Sequence, residues 1–168
     1  MNEIKTMKAL INLWDPIQLL YTGCPEDEYD TYIDFIVKKI SSNNPDEIAE
    51  IIYSVFSKHW GTMFKHCKKK CYYLAQIYLC IQEDGCKVYT ILEKMIKLWD
   101  PIGFSNLNYS VINYTEVINS FLVNMQNNVL TSEITYSIFK EIYGDDFKFS
   151  IAECEGFIEV LYLKRRFI

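Results

Sequence analysis

The chain has 168 residues, 50% hydrophobic and 15% aromatic, which is ample material for one packed domain or two small ones. Its net charge of −5 argues against a general nucleic-acid binder, which calls for a basic balance or a basic face. The longest apolar stretches, Ile33 to Val37 and Tyr72 to Ile81, are broken by polar residues well short of the roughly 20 needed to cross a bilayer, so no membrane span is expected.

Met1 to Lys8 mix Asn2, Glu3, Lys5 and Lys8 and run straight into a helical pattern. With no apolar signal region or small-residue cleavage site there, a cytoplasmic location is expected. That first helix should stop near Trp14, because Pro16 disfavours the helical conformation at Asp15. The Asp15 carboxylate can then cap a new turn that begins with Pro16, whose φ is already helical, and Trp14 would pin the corner by burying its ring.

Tyr29, Ile33, Ile36, Val37 and Ile40 follow the spacing of one helix face, with Glu26, Asp27 and Glu28 at the start and Lys38 and Lys39 at the end, an order that suits the helix dipole. The next helix opens on Asn44-Pro45-Asp46-Glu47, an amide cap, a proline at the first helical position and a glutamate placed to bond back. It turns Ile48, Ile51, Ile52, Val55 and Phe56 inward before Gly61 ends it. A third helix is expected over about Cys67 to Gln82, then a turn at Glu83-Asp84-Gly85. Val88, Ile91, Leu92, Met95 and Ile96 mark the helix leading into a second Trp99-Asp100-Pro101 corner. Near the C-terminus, Ser150 and Glu153 form a capping box for a helix from Ile151 to about Lys164.

The chain repeats itself. Ile11-Asn12-Leu13-Trp14-Asp15-Pro16-Ile17 returns 85 residues later as Ile96-Lys97-Leu98-Trp99-Asp100-Pro101-Ile102, and the same offset pairs Tyr29 with Tyr114 and Ile33 with Ile118. An offset of 83 then pairs Glu50-Ile51 with Glu133-Ile134, Phe56 with Phe139, Gly61 with Gly144, Phe64-Lys65 with Phe147-Lys148 and Cys71 with Cys154. The expectation is an all-α, compact helical bundle made of two diverged copies of one unit, residues 1–84 and 85–168, packed together as one globular body.

Leu-Trp-Asp-Pro-Ile followed by Asp27-Glu28-Tyr29 resembles the YugE-like family of small bacterial domains of unknown function, whose pattern is Trp-Asp-Pro-Ile-Gly and then an acidic pair with tyrosine. The resemblance runs to about Gly61 in the first half and Gly144 in the second. The first half has Gln18 in place of the glycine; the second keeps Gly103 but has Ile112-Asn113 in place of the acidic pair. It implies no catalytic residues.

Charge is unevenly distributed: Asp15 to Glu50 hold nine acids and two lysines, while Ile51 to Gln82 hold five lysines and no acid. Glu26, Asp27, Glu28, Asp30 and Asp34 are the candidate partner-binding residues, because Val111, Ile112, Asn113, Thr115 and Asn119 stand at the aligned positions of the second half. They read either as a solvated helix start or as an anionic patch that docks on a cationic one, such as the groove of a nuclease. Lys65, Lys68, Lys69 and Lys70 read as a solvated face rather than a phosphate site, since no aromatic platform accompanies them.

Cys67 and Cys71 lie one turn apart near His59 and His66, but the spacing is not that of a zinc site, and buried core thiols are expected. All six cysteines are expected to be reduced. The glycines are scattered singly, no phosphate loop exists, and no catalytic residue, metal or cofactor is expected. These features point to a non-catalytic protein that binds a protein partner, in specific form an immunity or antitoxin-type protein that occludes a basic toxin domain. The rivals are an enzyme or metal-dependent protein with a site between the halves, and a structural, oligomerising module.

Overall fold

A computed structural model describes residues 3–66, 68–83, 85–100 and 114–165. Eight α-helices run through them: α1 Glu3–Trp14, α2 Asp30–Lys39, α3 Pro45–Trp60, α4 Lys68–Gln82, α5 Val88–Trp99, α6 Tyr114–Gln126, α7 Ser132–Tyr143 and α8 Ile151–Arg165. Short 3-10 turns, Gly61–Met63 and Gly144–Asp146, follow α3 and α7, and the described residues include no strand. The protein is an all-α bundle, and none of its described helices is long and apolar enough to cross a membrane.

Local chemistry sets most helix ends. The Asp46 amide donates to the Asn44 side chain at 2.9 Å, with Pro45 in the first helical position. Glu47 accepts from the Ser42 hydroxyl at 2.6 Å and from the Asn44 side-chain amide at 3.5 Å, while the Asn44 backbone amide donates to the Ser42 hydroxyl instead of to Glu47. The Ser150–Glu153 box forms as expected: the Ser150 amide donates to Glu153 at 2.7 Å and the Glu153 amide donates to the Ser150 hydroxyl at 3.3 Å. Helices α3 and α7 end on Gly61 and Gly144 with φ of 49° and 55°, a left-handed backbone that glycine adopts without penalty from a Cβ.

Helices α1, α4, α5 and α8 make contact with one another and form the middle of the bundle. The α2–α3 pair flanks α1 and α4, and the α6–α7 pair flanks α5 and α8. One core runs through both halves, with Leu10, Ile33, Ile52, Phe56 and Leu74 fully buried on one side and Ile96, Ile118, Phe121, Phe139 and Phe157 on the other. Each tryptophan is a hub of aromatic packing. Trp14, 7% exposed, meets Phe56, Phe64 and His66, and Trp99, 8% exposed, meets Phe139, Phe147, Phe149 and Phe157.

Three expectations are corrected. Lys70 is buried at 8% exposure rather than solvated, and its ammonium donates to the carbonyls of Lys97 and Leu98 at 2.8 and 2.9 Å. The reason is the terminal turn of α5, whose carbonyls have no partners within the helix and attract a cation. Cys80 and Cys86 form a disulfide between the end of α4 and the approach to α5 rather than staying reduced. The short turn between those helices brings the two Cα atoms to 5.3 Å, within bridging range. Asp15, third, does not cap a turn at Pro16, as described next.

Candidate functional site

Asp15 ends α1 with φ of 43°, and this left-handed residue throws the chain into a loop across the end of the helix. Its carboxylate accepts from the Leu20 amide at 3.2 Å, the Tyr21 amide at 2.9 Å and the Tyr29 hydroxyl at 2.6 Å. It therefore organises five- and six-residue steps along the loop instead of the first turn of a helix. Burial, then the hydrogen bond to Asp15 and its charge, push the Tyr29 phenol far above its ordinary pKa, so it stays a donor. Pro16 is buried beside it. Asp100 follows Trp99 with φ of 55°, and burial followed by the Asp100 charge raises the Tyr114 phenol. Pro101, like Val111, Ile112, Asn113 and Cys67, lies outside the described residues.

The five candidate acids separate into two groups. Glu26, Asp27 and Glu28 stand exposed in the turns that precede α2, and Asp34 is exposed one turn into it. Their carboxylates make no hydrogen bond or ion pair among the described residues. Asp30, by contrast, opens α2 and pairs with Lys8 of α1 at 2.7 Å, half-buried. This pair ties α2 to α1, because α2 lies against α1 and brings the two charges together. The other lysines behave as a solvated face: Lys65, Lys68 and Lys69 are exposed, and Lys68 pairs with Glu50 at 2.6 Å.

The Asn12 side-chain amide donates to the Glu26 carbonyl at 3.2 Å and holds the acidic turn over the end of α1. Glu26 thereby joins the wall of a cleft of about 1020 Å³ lying between the C-terminal ends of α1 and α5 and the first half of α8. Both corners reach this cleft, through Trp14 and Asp15 from one half and Trp99 and Asp100 from the other. Its polar wall adds His66, Lys70, Lys148 and the α8 residues Glu153, Glu155 and Glu159. Lys70 stands 3.6 Å from the Asp100 carboxylate, with both side chains largely buried. Burial, then the Lys70 charge, lower the His66 pKa, so its imidazole is held neutral.

His66, Lys70, Glu155 and Glu159 were not singled out together by sequence because they come from α8 and from α4 with its approach, over eighty residues apart. The available signal was weak: an i,i+4 pair of glutamates on one helix face. The described residues hold no group of histidine, cysteine and carboxylate side chains arranged to bind a metal ion. Cys71 is fully buried, and burial pushes the equally buried Cys154 up to about 12, well away from a reactive thiolate. Comparison with known proteins finds no matching family model, no similar curated protein and no similar solved structure.

Proposed function

We propose that the chain is a non-catalytic binding protein built from two diverged copies of one helical unit, and that it is an immunity or antitoxin-type protein that neutralises a toxin domain by occluding it. The observation that supports the reading most is the set of exposed carboxylates on Glu26, Asp27, Glu28 and Asp34, which the fold does not use. A surface that holds like charges together with no internal partners repels itself, and a cationic protein surface relieves that cost while steering encounter. The duplication is supported by the parallel left-handed aspartates Asp15 and Asp100 at matching helix ends, and by Gly61 and Gly144 at the ends of α3 and α7. A likeness to the YugE-like pattern belongs to the same proposal.

The Cys80–Cys86 disulfide suits an oxidising setting better than a glutathione-buffered one. The convergence of His66, Lys70 and Asp100 in the cleft favours a second reading, a small-molecule or enzymatic site between the halves. Against it, the Lys70 ammonium donates to two helix carbonyls and is paired in charge with Asp100, a structural engagement.

The test is affinity capture from the native host with the tagged full chain and with its E26Q/D27N/E28Q variant. A stoichiometric basic protein that the variant holds less tightly is the expected outcome. Equal capture by both forms removes the acidic turn from the interface, and capture of nothing by either removes the binding reading.

A further inference from the structure

We propose that the Cys80–Cys86 bond is a reversible redox latch on the seam between α4 and α5, closed and opened by thiol–disulfide exchange with a glutathione-type couple. The inference goes beyond the binding reading above and holds whatever the partner is.

The two ends of the seam are the first observation. Helices α4 and α5 lie side by side and run in opposite directions. At one end the Lys70 ammonium, in the first turn of α4, donates to the Lys97 and Leu98 carbonyls in the last turn of α5 at 2.8 and 2.9 Å. At the other end Cys80, in the last turn of α4, is bonded to Cys86 on the approach to α5. Side-chain caps are missing from that second end. Lys87 precedes α5 without a side-chain cap bond, the first turn of α5 has no acidic residue, and the last turn of α4 has no basic one. Asn44, Thr131 and Ser150, by contrast, cap α3, α7 and α8. The backbone bond from the Cys86 amide to the Glu83 carbonyl is long, at 3.5 Å. The disulfide therefore stands where polar caps stand elsewhere in the bundle, and opening it loosens one end of the seam while Lys70 still holds the other.

Access and placement are the second, independent observation. Cys80 and Cys86 are both half-buried, so a small thiol has access to the pair, whereas Cys71 and Cys154 are fully buried. Accessible bridges are the ones that exchange readily with a thiol pool. In the register of the internal repeat Cys80 matches Leu163 and Cys86 matches Met1. The repeated unit thus needs no cysteine at either place, and the pair occurs only where the first half joins the second.

Opening consumes two glutathione thiols. The first attacks one Sγ as its thiolate, the Cys80–Cys86 bond breaks, and the departing sulfur takes up a proton. The second attacks the glutathione sulfur of the mixed disulfide, so the remaining cysteine leaves as a thiolate and is protonated while oxidised glutathione departs. The bridge gains two electrons and two protons, and the two glutathione thiols give them up. Closing runs the same steps in reverse.

The test equilibrates the full chain in two glutathione buffers, one at the poise of a reducing cytoplasm and one at that of a secretory compartment. Alkylation counts the thiols, and hydrogen exchange reads local opening. The bond is mostly open in the first buffer and mostly closed in the second. In the open form the amides from Leu79 to Ile91 exchange about tenfold faster, whereas those around Lys70 and Leu98 and those of α3 and α7 change by less than about twofold. C80S/C86S exchanges like the open parent in both buffers. A bond that stays closed in both, or open in both, overturns the reversibility. Equal exchange by the two forms of the parent, or an acceleration spread evenly over all helices, overturns the latch. A difference between buffers that C80S/C86S shows as well overturns the assignment to this bond.

Discussion

The Tyr29 hydroxyl donates to the Asp15 carboxylate at 2.6 Å, joining the residue that ends α1 to the residue that precedes α2. Tyr29 is fully buried, and Asp15 is held in a left-handed conformation that asparagine also tolerates. Replacing Tyr29 with Phe removes one hydrogen bond to a charged acceptor and costs about 1.5–3 kcal/mol in urea unfolding. Asp15→Asn keeps the backbone but weakens all three bonds and costs at least as much. If both variants unfold at the same urea concentration as the parent, the carboxylate does not organise the corner.

Lys70 should be the one lysine of its cluster that matters to stability. Lys70→Met leaves two α5 carbonyls without their donor and Asp100 without its counter-charge inside the bundle, costing about 3 kcal/mol. Lys69→Met, on the exposed face, stays within about 0.5 kcal/mol. Comparable losses from the two would contradict the buried placement.

The disulfide closes a loop of seven residues, from Cys80 through Cys86, between α4 and α5. By chain entropy such a closure contributes about 2 kcal/mol. Thiol counting before and after reduction should yield two additional free thiols, and reductant should lower the melting temperature of the parent but not of C80S/C86S. A parent with all cysteines free as purified from an oxidising medium would remove the bridge.

His66 sets a pH dependence. Burial, then Lys70, hold its imidazole below the ordinary value of 6.5, so the unfolded chain takes up a proton more readily than the folded one. Its contribution is fully present above about pH 6.5 and is lost as pH falls through the lowered folded value. The melting temperature should therefore drop on acidification from neutral pH, and His66→Gln should flatten that part of the profile. An identical profile for the variant would assign the drop to other groups.

Gly156→Ala tests whether α8 needs a glycine in its interior. With space for a Cβ and a helical backbone, alanine should raise stability by about 0.5–1 kcal/mol. A loss instead would mean that the glycine is required by packing on α8.

Several structural features were legible in the residues themselves because they depend on groups three or four positions apart. Asn44 with Pro45 starts α3, Ser150 with Glu153 starts α8, the helices α1 and α5 stop at Trp14 and Trp99, and Gly61 and Gly144 end theirs. The apolar spacing likewise named Ile33, Ile36, Ile48, Ile52 and Phe56 as core, and all are buried. The exposure of Glu26, Asp27 and Glu28 follows from an acidic run with no local partner.

Contacts over long separations were decided only by the tertiary packing. Asp30 looked like its acidic neighbours until α2 lay on α1 and set it against Lys8, 22 residues away. Lys70 looked like Lys68 and Lys69 until α4 lay on α5 and offered it two helix carbonyls 27 and 28 residues on. The cleft needs α1, α5 and α8 at once, so no periodicity within one helix announces it. The physical reason is the same in each case: an ionised group is stabilised by whichever opposite charge or unpaired dipole comes nearest in space, and in a helical bundle that neighbour lies on another helix.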